Sequence, residues 1–440
     1  MDSRAKQLGS LPVRRLIWKM GLPSVAGVMA YNLYSLFDTL FVARGVGMDA
    51  VGAVAVSFPL FLALSALSST LGAGAAALLS RALGEGDGER AARVAANAFV
   101  LFYAAALAVT VLGLLFLDPL LYAVGVTETL LPDARAYTRI ILLGAVTSTG
   151  FSSLIRAQGD SRYAMAIWVI PMAANVVLDL FFLFVLRLGV AGAAAGTVGG
   201  QAVSMGMSIW FFYGSDRCVL RLCPRHFRPD VRLMGEILLS GLPSFAQTAG
   251  YSFAVALVNR LLRRSGGDLA LSTYGLVSQI NTFLLLPLTG LGQGIGPIIG
   301  YNAGAGQTVR VRETVRTAGC LAAVYGLLAC VVLWRYSGTI LRLFTGDGAV
   351  LALGSAALPV ANAGLAFAGV QQVHTTCFQS VGRKGLALLL ALSGQVLFLL
   401  PAALLLQAAW GLDGIWWAFP VSQLAACGLS AACYGRWKRK

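Results

Sequence analysis

Apolar runs recur along the chain at near-regular intervals, each followed by a short stretch richer in Arg, Asp, Gly or Pro. A helix rises 1.5 Å per residue, so about 20 apolar residues cross the hydrocarbon core of a bilayer. The pattern predicts twelve membrane helices, at about 16–43, 51–80, 94–117, 134–155, 165–186, 191–213, 236–259, 269–299, 315–334, 351–378, 385–407 and 414–434. Several exceed the bilayer, which implies tilt or helix that continues into water. Pro23 and Pro243 are expected in the first turns of helices 1 and 7, where proline is tolerated. The predicted fold class is an all-α polytopic membrane protein.

The pattern repeats. Gly21-Leu22-Pro23-Ser24 recurs as Gly241-Leu242-Pro243-Ser244, and Ala82-Leu83-Gly84-Glu85-Gly86 is answered by Asn302-Ala303-Gly304-Ala305-Gly306 at the same offset of about 220 residues. Gly159 pairs with Gly382, Gly189 with Gly411, Gly192 with Gly414 and Gln201 with Gln423. A near-constant offset over separate landmarks points to duplication of a six-helix unit. Because six is even, both copies enter from the same side, the parallel-repeat transporter plan with a substrate cavity between lobes. The expected organisation is an N-terminal lobe over 1–213, a basic cytoplasmic loop over 214–234 and a C-terminal lobe over 235–440.

Composition agrees with this plan. Of the 440 residues 58% are hydrophobic and 12% charged, against roughly 25% charged in soluble domains. No short apolar region with an A-x-A-like cleavage site precedes the first span, which is therefore expected to stay as a membrane helix. The seven cysteines show neither a disulfide framework nor zinc spacing. The net charge of +15 is distributed between spans rather than clustered for nucleic acid. Placing both termini in the cytoplasm puts 24 of the 33 Lys and Arg on that side, as the positive-inside rule requires of a multi-pass plasma-membrane protein. The loop carrying Arg217, Arg221, Arg225, Arg228 and Arg232 reads as a connector near anionic lipid.

Two acids lie deep in apolar runs: Asp38 in helix 1 and Asp179 in helix 5. An Asp at the centre of a membrane helix costs about 2.5–3.5 kcal/mol on insertion scales, and such residues mark ion or proton pathways. Asp38 precedes Arg44 by six residues and Asp179 precedes Arg187 by eight, so both lie at similar heights in the outer half of one lobe. Two carboxylates held close in a low dielectric take up a proton or a cation such as Na⁺. Asn175, one turn before Asp179, and Thr197 in helix 6 are candidates to supply further oxygens. The second half has no acidic counterparts; helix 7 carries Gln247 and Asn259 and helix 11 carries Gln395. Ion coupling is therefore expected in the N-terminal lobe alone.

Tyr31-Asn32 with Asp38-Thr39-Leu40-Phe41-Val42 resembles the first-helix signature of the multidrug and toxic compound extrusion (MATE) family, in its DinF- and MepA-like branch. Asn175-Val176-Val177-Leu178-Asp179, continued by the glycine-rich segment from Gly189 to Thr197, is similar to the family's helix 5 to 6 signature. Gly292 to Gly304 and Phe378-Gln379-Ser380-Val381-Gly382 resemble its second-half motifs, so the resemblance covers nearly the whole chain. It implies a secondary antiporter that exports amphipathic, often cationic drugs in exchange for H⁺ or Na⁺. Its N-lobe cation site then falls on Asp38, Asn175, Asp179 and Thr197, which are metal ligands only if the coupling ion is Na⁺. No cofactor is implied beyond that ion. The expected partners are small-molecule drugs or organic cations and the lipid bilayer, with no nucleic acid, and the expected state is a monomer.

Tyr34, Phe37, Gln247, Tyr251 and Gln279 are candidates to line the substrate cavity, aromatics by stacking on delocalised cations and amides by hydrogen bonding. Gln158, Gln201, Asn281, Gln293, Gln371, Gln372 and Gln379 are further intramembrane or border amides suited to interhelical bonds. His374 stands alone without an acidic neighbour in sequence. An intramembrane enzyme is disfavoured, since no His-Glu-x-x-His, Gly-x-Ser-x-Gly or Walker A motif is present. Within transport, the alternative is a flippase for lipid-linked or polysaccharide precursors, which a basic central cavity would favour.

Overall fold

The described residues form helices α1 (Ser3–Ser10), α2 (Val13–Gly45), α3 (Met48–Glu85), α4 (Gly88–Leu115), α5 (Leu117–Ala123), α6 (Leu131–Leu143), α7 (Phe151–Ala157), α8 (Ser161–Leu180), α9 (Val190–Gly214), α10 (Val231–Gly304), α11 (Thr308–Arg342), α12 (Gly348–Asn362), α13 (Leu365–Val381), α14 (Lys384–Leu392) and α15 (Leu399–Arg439). This computed structural model describes residues 3–46, 48–147 and 151–439, and within α2 and α3 some side chains lie outside the described set. Non-helical turns at Gly267 and Gly411 divide α10 and α15 into two rods each. With α6 joined to α7, α8 to its π-helical extension Phe181–Val185, α12 to α13, and α14 through Ser393–Leu397 to α15, the elements make up the twelve predicted spans. Seven helical stretches among the described residues are long and apolar enough to cross a membrane.

The duplication is written in backbone angles. Gly86 and Gly306 have φ of 79° and 72°, Gly159 and Gly382 of 94° and 88°, and Gly189 and Gly411 of 60° each. A side chain in the left-handed region costs roughly 1–2 kcal/mol, so each turn demands glycine in both copies. Span 4 is interrupted by the 3-10 turn Gly144–Thr147, and span 10 breaks between α12 and α13 at Gly364. Gln201 of α9 accepts from the Thr147 hydroxyl at 3.3 Å, and its repeat partner Gln423 packs its Oε1 directly on Gly364.

Contacts divide the chain into two units. The first comprises Met1–Ser10 and Ala26–Gly241, the second Leu11–Val25 and Leu242–Lys440. Within the second, the first turns of α2 lie on the later rod of α10: a Cβ at Gly294 would stand 2.7 Å from the Gly21 α-carbon, and one at Gly290 2.5 Å from that of Val25. Within the first, the opening turns of α10 lie on α3, where Gly74 faces the Ile237 carbonyl and Gly241 that of Thr70. These contacts correct one expectation. Both helices begin about three turns before their prolines, because Leu16, Ile17, Met20 and Ile237 are buried and hold the preceding turns in place.

The basic connector is docked on the first unit. The Val219 N–H donates to Gln158 Oε1 at 3.0 Å, and the Asp230 N–H to Asn97 Oδ1 at 2.9 Å. Arg93 pairs with Asp230 at 2.8 Å and Arg225 with Glu89 at 2.9 Å. The Cys223 N–H donates to His226 Nδ1 at 3.0 Å, and His226 Nε2 lies 3.0 Å from Glu89 Oε1. Burial pushes the Cys218 thiol up to about 11.

Candidate functional site

Helices α8 and α9 pack through a seam of glycines. Gly192, Gly196 and Gly200 follow one another at four-residue spacing, which leaves one face of α9 without side chains. A Cβ at Gly196 would fall on Asp179 Oδ1, and one at Gly200 would lie 2.8 Å from Asn175 Cβ and 3.1 Å from the Pro171 carbonyl. The α9 backbone is thus the floor on which the carboxylate rests. Asp179 is 0% exposed, Asn175 2% and Thr197, the residue after Gly196, 6%. The Asn175 amide makes no hydrogen bond through either Oδ1 or Nδ2 among the described residues. Such buried amides are usually satisfied by water, an ion or a partner, so Asn175 is placed to complete a small polar site.

The local sequence explains why this pair of helices holds its geometry. Pro171 has no N–H to give the Ile167 carbonyl, and Ser204 of α9 donates to that carbonyl instead, at 3.3 Å. The Tyr163 hydroxyl donates to the Met207 carbonyl at 2.8 Å. Immediately after Asp179 the helix widens into the π-helical turn Phe181–Val185, closed by the Leu186 N–H on the Phe181 carbonyl at 2.9 Å. Turns of this kind recur at functional sites.

Helix α2 runs alongside. Tyr31 meets Trp168 of α8 edge to face at 4.7 Å, and Val42 is buried among Leu183, Val190, Ala193 and Ala194. Asp38 lies in α2 between these two anchors. Its side chain, like those of Tyr34 and Phe37, lies outside the described residues.

The second half contains a cavity of about 110 Å³ of different character. Gln247 and Tyr251 line it together with Gln371, Gln372, Gln395 and Gln423, and among the described residues that line it none is charged. Gln247 Nε2 donates to Gln372 Oε1 at 2.8 Å, and Tyr251 shares a hydrogen bond with Ser278 at 3.1 Å. Gln279, one position beyond Ser278 on α10, is exposed and is not among the lining residues. Asn362, which leaves its Oδ1 without a hydrogen bond among the described residues, carried no sequence signal beyond its polarity.

A family model, MatE, matches residues 23–181 and again residues 243–404, once per half. The chain belongs to the MatE family. MatE proteins are transporters of small molecules, so this chain is a membrane transporter and not an enzyme. It is similar to the multidrug export protein MepA of Staphylococcus aureus (strain N315), 25% identical over 425 residues, which cover 96% of this chain and 93% of that protein. A protein of Shewanella oneidensis named FAD transporter is 27% identical over 438 residues, covering 97% and 94%. Among solved structures, the outward-facing conformation of a multidrug resistance MATE family transporter superposes with a TM-score of 0.93 at 22% identity, over 100% of this chain and 98% of that one. That likeness establishes the MATE fold.

Proposed function

We propose that this MatE transporter is a secondary antiporter that exports amphipathic, mostly cationic small molecules in exchange for H⁺ or Na⁺. The supporting observation is the Asp179 carboxylate, fully buried on the glycine floor of α9 beside the Asn175 amide. A carboxylate withdrawn from water favours its protonated form or a bound cation. Asp38, Asn175, Asp179 and Thr197 form the coupling site in this reading, with the oxygens a Na⁺ ion would need. Ion occupancy changes how α2 packs on α8 and α9, and it drives alternating access only by binding the two states differently. The protein works as a monomer in the plasma membrane with both termini in the cytoplasm, the orientation favoured by its Lys and Arg distribution.

A second cargo class has a specific observation in its favour. The cavity of the second half is lined by amides, hydroxyls and apolar groups without an acid, so it exerts no selection for cations. The Shewanella relative is named FAD transporter, which makes an anionic cargo the alternative class; at about 110 Å³ the cavity would hold only part of such a molecule.

The test is ethidium efflux from energised cells expressing wild type, Asp38→Asn or Asp179→Asn at matched membrane abundance, with and without Na⁺. Export by wild type and failure of both variants supports the coupled exporter, and Na⁺ dependence identifies the ion. Normal export by both variants removes the aspartates from the mechanism. If wild type matches empty cells, FAD release and then lipid-precursor flipping are the activities to assay.

A further inference from the structure

A second cavity in the C-terminal half, about 600 Å³, lies among α11, α13 and α15. Its charged rim is Arg312, Arg316 and Lys438 with one acid, Glu313, and its walls include Val315, Ala323, Val370 and Tyr434. The rim sits at a polar boundary. Helix α11 carries Arg310, Arg312, Glu313 and Arg316 in its first turns and then no charge until Arg335, while α15 ends on Arg436, Lys438 and Arg439. Beyond the rim, Leu327, Leu328 and Val331 of α11 are each more than half exposed, as expected of a face turned to acyl chains.

The side chains are arranged for a phosphate carrying a hydroxyl. Arg312 is tethered through Nη2 to the Lys438 carbonyl at 2.7 Å, while its buried Nε has no hydrogen-bond partner among the described residues. A buried guanidinium donor left unmatched is costly, and an anion oxygen satisfies it. His374 stacks on Tyr434 with ring centroids 4.8 Å apart. Ser430 gives its own hydrogen to the Cys427 carbonyl at 2.8 Å, so the 2.9 Å contact to His374 is an Nδ1–H donation and leaves Nε2 as an acceptor. Cationic donors, an imidazole acceptor and apolar walls in one pocket match a lipid head group better than free phosphate, which has no use for the walls.

We infer that this pocket holds the head group of an anionic phospholipid that combines a phosphate with a free hydroxyl, as phosphatidylglycerol does. The phosphate pairs with Arg312, Arg316 and Lys438, and an acyl chain follows α11. The site is independent of the exported cargo and of the coupling ion.

Native mass spectrometry of the full-length, delipidated protein tests this, with dioleoyl phosphatidylglycerol titrated against dioleoyl phosphatidylcholine. The expected result is preferential retention of phosphatidylglycerol, weakened about fivefold for each charge removed in Arg316→Gln/Lys438→Gln. Both positions are exposed, so the variant keeps its fold, which an unchanged melting temperature verifies. The Arg263→Gln/Arg264→Gln variant, with the same loss of charge at two exposed positions remote from the pocket in sequence, should bind as wild type does. Equal retention of the two lipids, equal binding by the rim variant and wild type, an equal loss in the Arg263→Gln/Arg264→Gln variant, or full displacement by millimolar inorganic phosphate would each overturn the assignment.

Discussion

The carboxylate of Asp179 rests directly on the α-carbon of Gly196. A methyl group at that position has no room, because besides the carboxylate oxygen it would meet Asp179 Cγ at 3.0 Å and the Asp179 backbone nitrogen at 3.3 Å. Gly196→Ala should therefore abolish efflux and cost about 1–3 kcal/mol of stability. Gly206→Ala, on the same helix with nothing within 4 Å of the added carbon, should be neutral or slightly stabilising. Thermal unfolding in detergent alongside dye efflux checks both.

The hydroxyl of Ser204 replaces the hydrogen bond that Pro171 denies to Ile167. Ser204→Ala should lower stability by about 0.6–1.7 kcal/mol, the range for interhelical bonds in membranes. Tyr163→Phe, which removes the bond to Met207, should cost a similar amount, read in the same unfolding assay.

Gly159 and Gly382 occupy the same left-handed turn in the two halves. Alanine at either should cost about 1–2 kcal/mol, and the two costs should agree because the strain is local. Gly319→Ala, in a helical position of α11 with open space around it, should gain about 0.5–1 kcal/mol instead. A melting series of the three variants decides the matter.

Gln158 holds the connector through Val219 and Cys218. With the Cys218 thiol raised from 9.0 to about 11, an ordinary alkylation pH leaves it about a hundredfold poorer in thiolate than an unperturbed cysteine. Iodoacetamide should label exposed Cys223 well before Cys218. Gln158→Ala should release this part of the connector and speed labelling of Cys218, as peptide mass mapping over a time course will show.

The twelve spans were legible because a bilayer sets a minimum apolar length, and the repeat because left-handed turns admit little but glycine. Asn175, Asp179 and Thr197 stood out as polar groups in apolar surroundings, and the fold buries all three on adjoining helices. The starts of α2 and α10 were less legible, since hydropathy reports membrane depth and says nothing about where a helix ends. Side-chain direction was harder still. Ser278 lines the amide cavity and Gln279 does not, a difference of one residue and about 100° around α10. Asn362 and Gln423 look in sequence like any helix amide, and only packing reveals that they meet at one cavity.

The placement of Leu11–Val25 in the second unit has a consequence for biosynthesis. This segment is among the first to leave the ribosome, yet the glycines it packs on, Gly290 and Gly294, are made after more than half the chain. The opening turns of α2 must stay uncovered through most of translation, a long-range closure of the kind that folds late. Chains stopped within the connector would display that unfinished face, and membrane quality control has a ready signal by which to remove them.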